Sequence, residues 1–185
     1  MNTVVTSKED ILEASRELIR RQGWAAVNIR SVAAACGVSV GSIYNYFGSK
    51  AELAGAAVES VWQEIFDCPA GGDAFRDTCA CVSWMYSRME YGGRRYPGFF
   101  TLHSLGFLQQ DRPEGRRRMH RAWQHILDGL RAVLERDPQV RPGAFGPAFT
   151  PETLAQILFD LMLSALVRGD YDPAPALEIV RRTLY

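Results

Sequence analysis

Apolar residues recur every three to four positions along almost the whole chain, the spacing of helices that bury one face. Ile11, Leu12, Ser15, Leu18 and Ile19 form the first such stripe, opened by the capping-box pattern Ser7-Lys8-Glu9-Asp10 and stopped by Gly23. After the connector Trp24, Ala25, Ala26 and Val27, Asn28 caps a second helix with Ile29, Val32 and Ala33 on its inner face. Gly37 breaks that helix. Ser39 caps a third, which carries Ile43, Tyr44, Tyr46 and Phe47 and stops at Gly48. Ser49-Lys50-Ala51-Glu52 is a cleaner capping box and opens a fourth helix, with Leu53, Ala57, Val61 and Ile65 on one face, ending at Pro69-Ala70-Gly71-Gly72.

Further along, Asp73 caps a fifth helix with Phe75, Val82, Met85, Tyr86 and Met89 inward, ended by Gly92-Gly93. A short sixth helix is expected over 98–108. A seventh starts at Arg112-Pro113-Glu114 and runs to about Arg136, with Met119, Trp123, Ile126, Leu130 and Val133 periodic. The prolines and glycines between Asp137 and Phe149 predict a loop. Thr150-Pro151-Glu152 opens an eighth helix closed by Gly169, and Asp172-Pro173 opens a short last one. No period-2 strand and no internal repeat interrupts this pattern. The fold class is therefore all-α with about nine helices: an N-terminal three-helix helix-turn-helix head over residues 1–50 and a helical body over 51–185.

Composition narrows the class of function. Hydrophobic residues make up 47% and charged residues 23% of the 185 residues, the balance of a globular chain and not of a disordered one. Lys+Arg and Asp+Glu are 21 each, so bulk charge draws the molecule neither to nucleic acid nor to anionic lipid; any such site depends on local asymmetry. Met1 to Ser7 lack a basic n-region, no apolar h-region follows, and the most apolar stretch, from Leu154 to Val167, is interrupted by Asp160. These features predict a cytoplasmic protein with no membrane partner. Cys36, Cys68, Cys79 and Cys81 form no CxxC pair and read as free thiols; a redox role for Cys68, Cys79 and Cys81 stays open. No HxxxH or HExxH spacing exists, so neither a metal nor another cofactor is expected.

The chemistry lies between Asn28 and Phe47. Two short helices joined at Gly37 make a helix-turn-helix of about twenty residues, whose second helix has the size to enter a DNA major groove. An ordinary helical corner has the same outline, so charge is needed to separate the two. From Leu18 to Ala51 there is no Asp or Glu, while Arg20, Arg21, Arg30 and Lys50 are basic. A local basic face on a neutral chain is an electrostatic footprint for phosphate. Asn28, Ser31, Ser39, Ser42 and Ser49 add small polar groups at helix starts.

Ile29-Arg30-Ser31-Val32-Ala33, Ala35-Cys36-Gly37-Val38-Ser39 and Gly41-Ser42-Ile43-Tyr44-Asn45-Tyr46-Phe47-Gly48-Ser49-Lys50-Ala51-Glu52-Leu53 together resemble the N-terminal domain of the tetracycline-repressor (TetR) family. The resemblance covers roughly residues 7–55; beyond that only length and helical layout agree. It implies that Arg30, Val40, Gly41 and Ser42 face base edges, that Asn28, Ser39, Tyr44, Asn45 and Lys50 hold phosphates, and that Phe47 and Leu53 are core. Asn28 stands where the family usually has Thr. Cys36 occupies a small-residue position. Val40 and Gly41 replace the hydrogen-bonding side chains that other members place in the first turn of the recognition helix, so base reading leans on Arg30, Ser42 and apolar contact to thymine methyls.

The resemblance further implies a homodimer on double-stranded palindromic operator DNA, a repressor released by an unknown small-molecule effector. Large aromatics and Met in the body are core material that also lines ligand cavities. Trp62, Phe66, Trp84, Met85, Met89, Phe107 and Trp123, with His103 as a polar contact, are the expected effector pocket. The helix from Thr150 to Gly169 is apolar nearly all round and needs burial on more than one side. A second subunit supplies it through Leu154, Leu158, Leu161, Met162 and Ala165. Two rivals remain at this stage: a regulator controlled by a protein partner or by thiol oxidation, and a small all-α enzyme. The enzyme is disfavoured by the lack of a nucleophile elbow, a paired-carboxylate signature or a phosphate loop.

Overall fold

The computed structural model describes residues 6–67, 75–100 and 113–185, of which 113–122 by backbone alone. Among them are eight α-helices: α1 (Lys8–Gln22), α2 (Ile29–Cys36), α3 (Val40–Tyr44), α4 (Lys50–Ile65), α5 (Thr78–Arg95), α6 (Pro113–Arg136), α7 (Pro151–Arg168) and α8 (Ala174–Leu184). A 3-10 turn, Trp24–Ala26, joins α1 to α2. The described residues contain no strand beyond one isolated bridge between Gly146 and Phe149. The chain is all-α. The short helix expected over 98–108 falls largely outside the described residues, as do Asp73 and Cys68.

Contacts divide the chain into two compact units. The first comprises Met1–Glu64 with Gly93–Ala122 and the second Ile65–Gly92 with Trp123–Tyr185. In the first, the capping box at Ser7 closes in both directions with Asp10, at 3.1 and 2.8 Å, and starts α1. Ile11 and Ile19 of α1, Val32 of α2, Ile43 of α3, Phe47, and Leu53 and Ala57 of α4 are completely buried. α1 packs on α2, and α2 on α3. Truncating a buried aromatic such as Phe47 to Ala costs about 3–5 kcal/mol, so this small core sets the angle of α3.

In the second unit, Val82, Met85 and Met89 of α5, Leu130, Val133 and Leu134 of α6, seven side chains of α7 and Val180 and Leu184 of α8 are buried. Asp77, not Asp73, caps α5, accepting from the Ala80 amide at 2.7 Å. α5 also continues through Gly92-Gly93 to Arg95. Gly92 is buried, so it serves as a packing position within the helix and not as its stop. The loop after α6 holds the chain end. Asp137 accepts from the Thr78 amide and hydroxyl, both at 2.7 Å, and from the Tyr185 hydroxyl at 2.6 Å, while the Arg141 amide donates to the Leu184 carbonyl at 2.8 Å.

Candidate nucleic-acid interface

The helix-turn-helix is built by caps on both sides of one glycine. The Asn28 side-chain oxygen accepts from the amides of Arg30 and Ser31, at 3.0 and 3.1 Å, and the Ser31 hydroxyl returns a contact to the Asn28 amide at 3.1 Å. That reciprocal box starts α2. At its end Gly37 takes φ +67°, a left-handed conformation that an L side chain adopts only with strain, and the Val38 amide donates back to Ala33 at 3.0 Å. Ser39 opens α3: its hydroxyl accepts from the Ser42 amide at 3.1 Å and pairs with the Ser42 hydroxyl at 2.9 Å. Asn28, Ser39 and Ser42 thus have structural duties beside any contact with DNA.

α3 is shorter than the sequence predicts. It ends at Tyr44, and the amides of Tyr46 and Phe47 both bond the Ile43 carbonyl, tightening the last turn. The Tyr46 hydroxyl donates to the Thr6 carbonyl, which ties this turn to the entry of α1. Within α3 only Ile43 is buried. Val40 is 41% and Tyr44 49% exposed, with Gly41 and Asn45 exposed beside them. The recognition helix therefore presents a smooth apolar surface flanked by a phenol and a carboxamide.

α4 begins with Ser49 accepting from the Glu52 amide at 3.1 Å. The Glu52 carboxylate reaches back to the Gly48 amide at 2.8 Å, one residue further than a standard box. Lys50 is the first helical residue and is exposed. Among the described residues, neither Lys50 nor Arg30 forms an ion pair. The other two basic residues of the acid-free window behave differently: Arg20 and Arg21 both pair with Glu17, which lies one residue outside that window. The hydrogen bond from Arg20 holds the Glu17 carboxyl below its ordinary value, so this one carboxylate offsets one of the two positive charges. Lys8, missed by the sequence reading because it precedes the window, lies 5.7 Å from the centre of the Phe47 ring and adds a cation to the head.

The body residues separate by unit. Trp62 meets Phe100 edge-on at 5.5 Å and Phe99 at 6.4 Å in the first unit. In the second, Phe66 and Phe75 pack on Trp84, Met85 and Met89 are buried along α5, and Trp123 lies on Phe159. His103 and Phe107 lie outside the described residues. On α7, Leu154, Leu158, Met162 and Ala165 are buried within the subunit itself, which corrects their placement on a partner-facing surface: the subunit's own core already covers them. Leu161 is half-buried, and the exposed apolar side chains of α7 are Ile157, at 40%, and Val167, at 51%.

Among the described residues no group of three or more His, Cys, Asp or Glu is placed to hold a metal, and no helix is long and apolar enough to cross a membrane. Burial pushes the Cys36 and Cys79 thiols above their ordinary value, which keeps them protonated and weakly nucleophilic.

A capped, glycine-turned helix pair that exposes one short helix beside unpaired Arg30 and Lys50 defines a helix-turn-helix DNA-binding regulator. Residues 11–57 match the family model described as bacterial regulatory proteins, tetR family. The chain is 24% identical over 178 residues to the nucleoid occlusion factor SlmA of Vibrio cholerae, covering 94% of this chain and 90% of that protein. Its fold is similar to a TetR-type transcriptional regulator of Streptomyces avermitilis, with a TM-score of 0.68 and 22% identity over 98% of this chain and all of the other. It is also similar to FadR of Bacillus subtilis, solved in complex with stearoyl-CoA, with a TM-score of 0.64 and 17% identity over 97% of this chain and all of that one.

Proposed function

We propose that the chain is a repressor that binds a palindromic operator as a homodimer and leaves it when a small molecule binds the body, with residues 1–50 as the DNA-binding head and 51–185 as the effector and dimer domain. Arg30, Val40, Gly41 and Ser42 meet base edges; Asn28, Ser39, Tyr44, Asn45 and Lys50 meet phosphates. The observation that carries this reading is the outward face of α3, where Val40, Gly41, Tyr44 and Asn45 stand exposed around the single buried anchor Ile43. One such helix reads only a few base pairs, so genomic selectivity requires two of them related by a twofold axis. The dimer seam is the remaining apolar stripe of α7, Ile157, Leu161 and Val167, with small Ser164 between them and exposed Ile179 on α8.

The effector half draws support from the aromatic groups around Trp62 and Trp84, and from the acyl-CoA bound by the FadR fold neighbour. Sequences selected from random DNA by the full-length protein test the reading. Enrichment of a palindrome whose half-sites are spaced by the DNA helical repeat is expected; enrichment of nothing, or of a site without dyad symmetry, overturns it. Release of the selected operator by added small molecules, beginning with stearoyl-CoA, tests the effector half. Release only by peroxide or by a protein partner overturns that half and leaves the DNA-binding half intact.

A further inference from the structure

Immediately after α5, Tyr96 turns into the first unit and is only 1% exposed. Its ring packs on Phe99 at 6.1 Å. Phe99 and Phe100 in turn pack on Trp62 of α4, so residues 96–100 are clamped to the end of α4 by an aromatic cluster. The Tyr96 hydroxyl hydrogen-bonds the carboxylate of Glu64, two residues beyond Trp62. The same carboxylate is 3.1 Å from Nε of Arg16 on α1 and 3.6 Å from Nε of Arg95. Arg16 continues the chain of contacts to Glu9 in the first turn of α1, at 3.0 Å. One carboxylate thereby joins three pieces of the first unit: the helix on which α2 rests, the end of α4, and the segment that follows α5.

The cleft around this junction is lined by Arg16, Arg20, Arg95, Glu13, Glu17 and Glu64 beside Tyr96. Three guanidinium groups face three carboxylates, so the cleft has no net charge with which to hold an anion or a cation, and a ligand site is not what the arrangement provides. It provides directional, short-range bonds instead. A displacement of residues 96–100 by an ångström or two breaks the Tyr96 bond or drags Glu64 with it, and Arg16 and α1 follow. Because α1 packs on α2 and α2 on α3, the angle of the recognition helix changes in turn.

We propose that Glu64 is a positioning residue for DNA recognition, coupling residues 93–100 to the placement of α3 through Arg16 on one side and Tyr96 and Arg95 on the other. The inference rests on the DNA-binding reading above and adds its regulation. Coupling free energies are reciprocal: if the 93–100 segment controls operator affinity, operator binding must alter that segment.

Hydrogen exchange of the full-length protein, with and without its selected operator at saturation, reads this directly. Operator is expected to slow exchange over residues 28–50 and also, by about fivefold or more, over 93–100. Tyr96→Phe, which removes one hydroxyl, and Glu64→Gln, which removes the charge at constant shape, are each expected to return 93–100 to its DNA-free rate while 28–50 stays protected. A merely structural role lowers stability without selectively erasing the DNA-dependent change. If Tyr96→Phe does not fold, Glu64→Gln at its partly exposed site decides. Protection of 28–50 without any change in 93–100, or retention of that change in Glu64→Gln, overturns the coupling alone. Failure to enrich any DNA sequence overturns the DNA-binding reading, and the coupling with it.

Discussion

Gly41 offers a test in which folding and DNA binding move in opposite directions. It stands exposed in the first turn of α3, and its backbone is not in the left-handed region. A Cβ built there meets only the Ser39 hydroxyl, at 3.6 Å, an ordinary van der Waals distance. Gly41→Ala therefore fits the free protein and removes the entropic cost of a helical glycine, roughly 0.5–1 kcal/mol. For a chain of this length that gain raises Tm by about 1–4 °C. On the operator, by the function proposed above, the same methyl group would stand where α3 meets the base edges, flanked by Val40 and Ser42. A clash or forced retreat there is expected to weaken binding about tenfold, which is ~1.4 kcal/mol. Thermal denaturation and fluorescence anisotropy on one preparation measure both quantities. Operator affinity unchanged by Gly41→Ala refutes the close approach of α3. A fall in Tm refutes the account of the local backbone.

Lys50→Ala is expected to weaken binding to all DNA sequences alike and to lower the slope of log affinity against log salt by about 1, if Lys50 holds one phosphate as proposed; an unchanged slope in a folded variant sinks that role. Leu161→Glu is expected to give a folded monomer by sedimentation and circular dichroism with operator binding largely lost, whereas Leu158→Glu, which buries an unpaired charge inside the subunit, is expected to misfold. A Leu161→Glu protein that remains dimeric removes the α7 seam. Tyr185→Phe probes the closure of the second unit: burial pushes the Asp137 carboxyl up, but hydrogen bonds from Tyr185, Thr78 and Gln139 outweigh it and hold the carboxyl below its ordinary value. A depressed carboxyl stabilises the fold above its unfolded pKa, about 3.9, and that stabilisation is lost as pH falls through the folded value. The variant is thus expected to cost about 1–2 kcal/mol at pH 7, with the Tm gap to the parent closing toward pH 3; an equal gap at both pH values contradicts the linkage.

Much of the head was legible because its signals are local. Ser7, Asn28, Ser39 and Ser49 cap helices within three residues of themselves, and Gly37 permits one backbone conformation, so short stretches of sequence contain the whole argument. The errors there arose from bonds that cross the chain. Tyr46 looked like part of a longer α3, yet its hydroxyl reaches Thr6, 40 residues away, and the helix ends before it. Arg20 and Arg21 looked like free positive charge in an acid-free window, yet Glu17 stood one residue outside it. Asp77 displaced Asp73 as the cap of α5, and its second carboxylate oxygen is held by Gln139 at 3.2 Å, a partner no local reading supplies.

The body was harder for a different reason. In α7 the apolar residues cover nearly the whole circumference, so periodicity states that the helix is buried without saying by what. The subunit spends Leu154, Ala155, Leu158, Phe159, Met162, Ala165 and Leu166 on its own core, leaving Leu161 half-buried and Ile157 and Val167 exposed. Both sets have helical spacing, and both contain large aliphatic side chains. Only the position of the neighbouring elements separates them, and that position depends on contacts such as the one between Trp123 and Phe159, 36 positions apart. The remainder left by the internal core is the informative quantity for an interface, because an apolar side chain already buried at home gains nothing from a partner, whereas one left in water gains about 25 cal/mol for every Å² it hides. That difference is what the Leu158 and Leu161 substitutions weigh against each other: the same charge, one helical turn apart, is expected to destroy the subunit at the first position and only the pairing of subunits at the second.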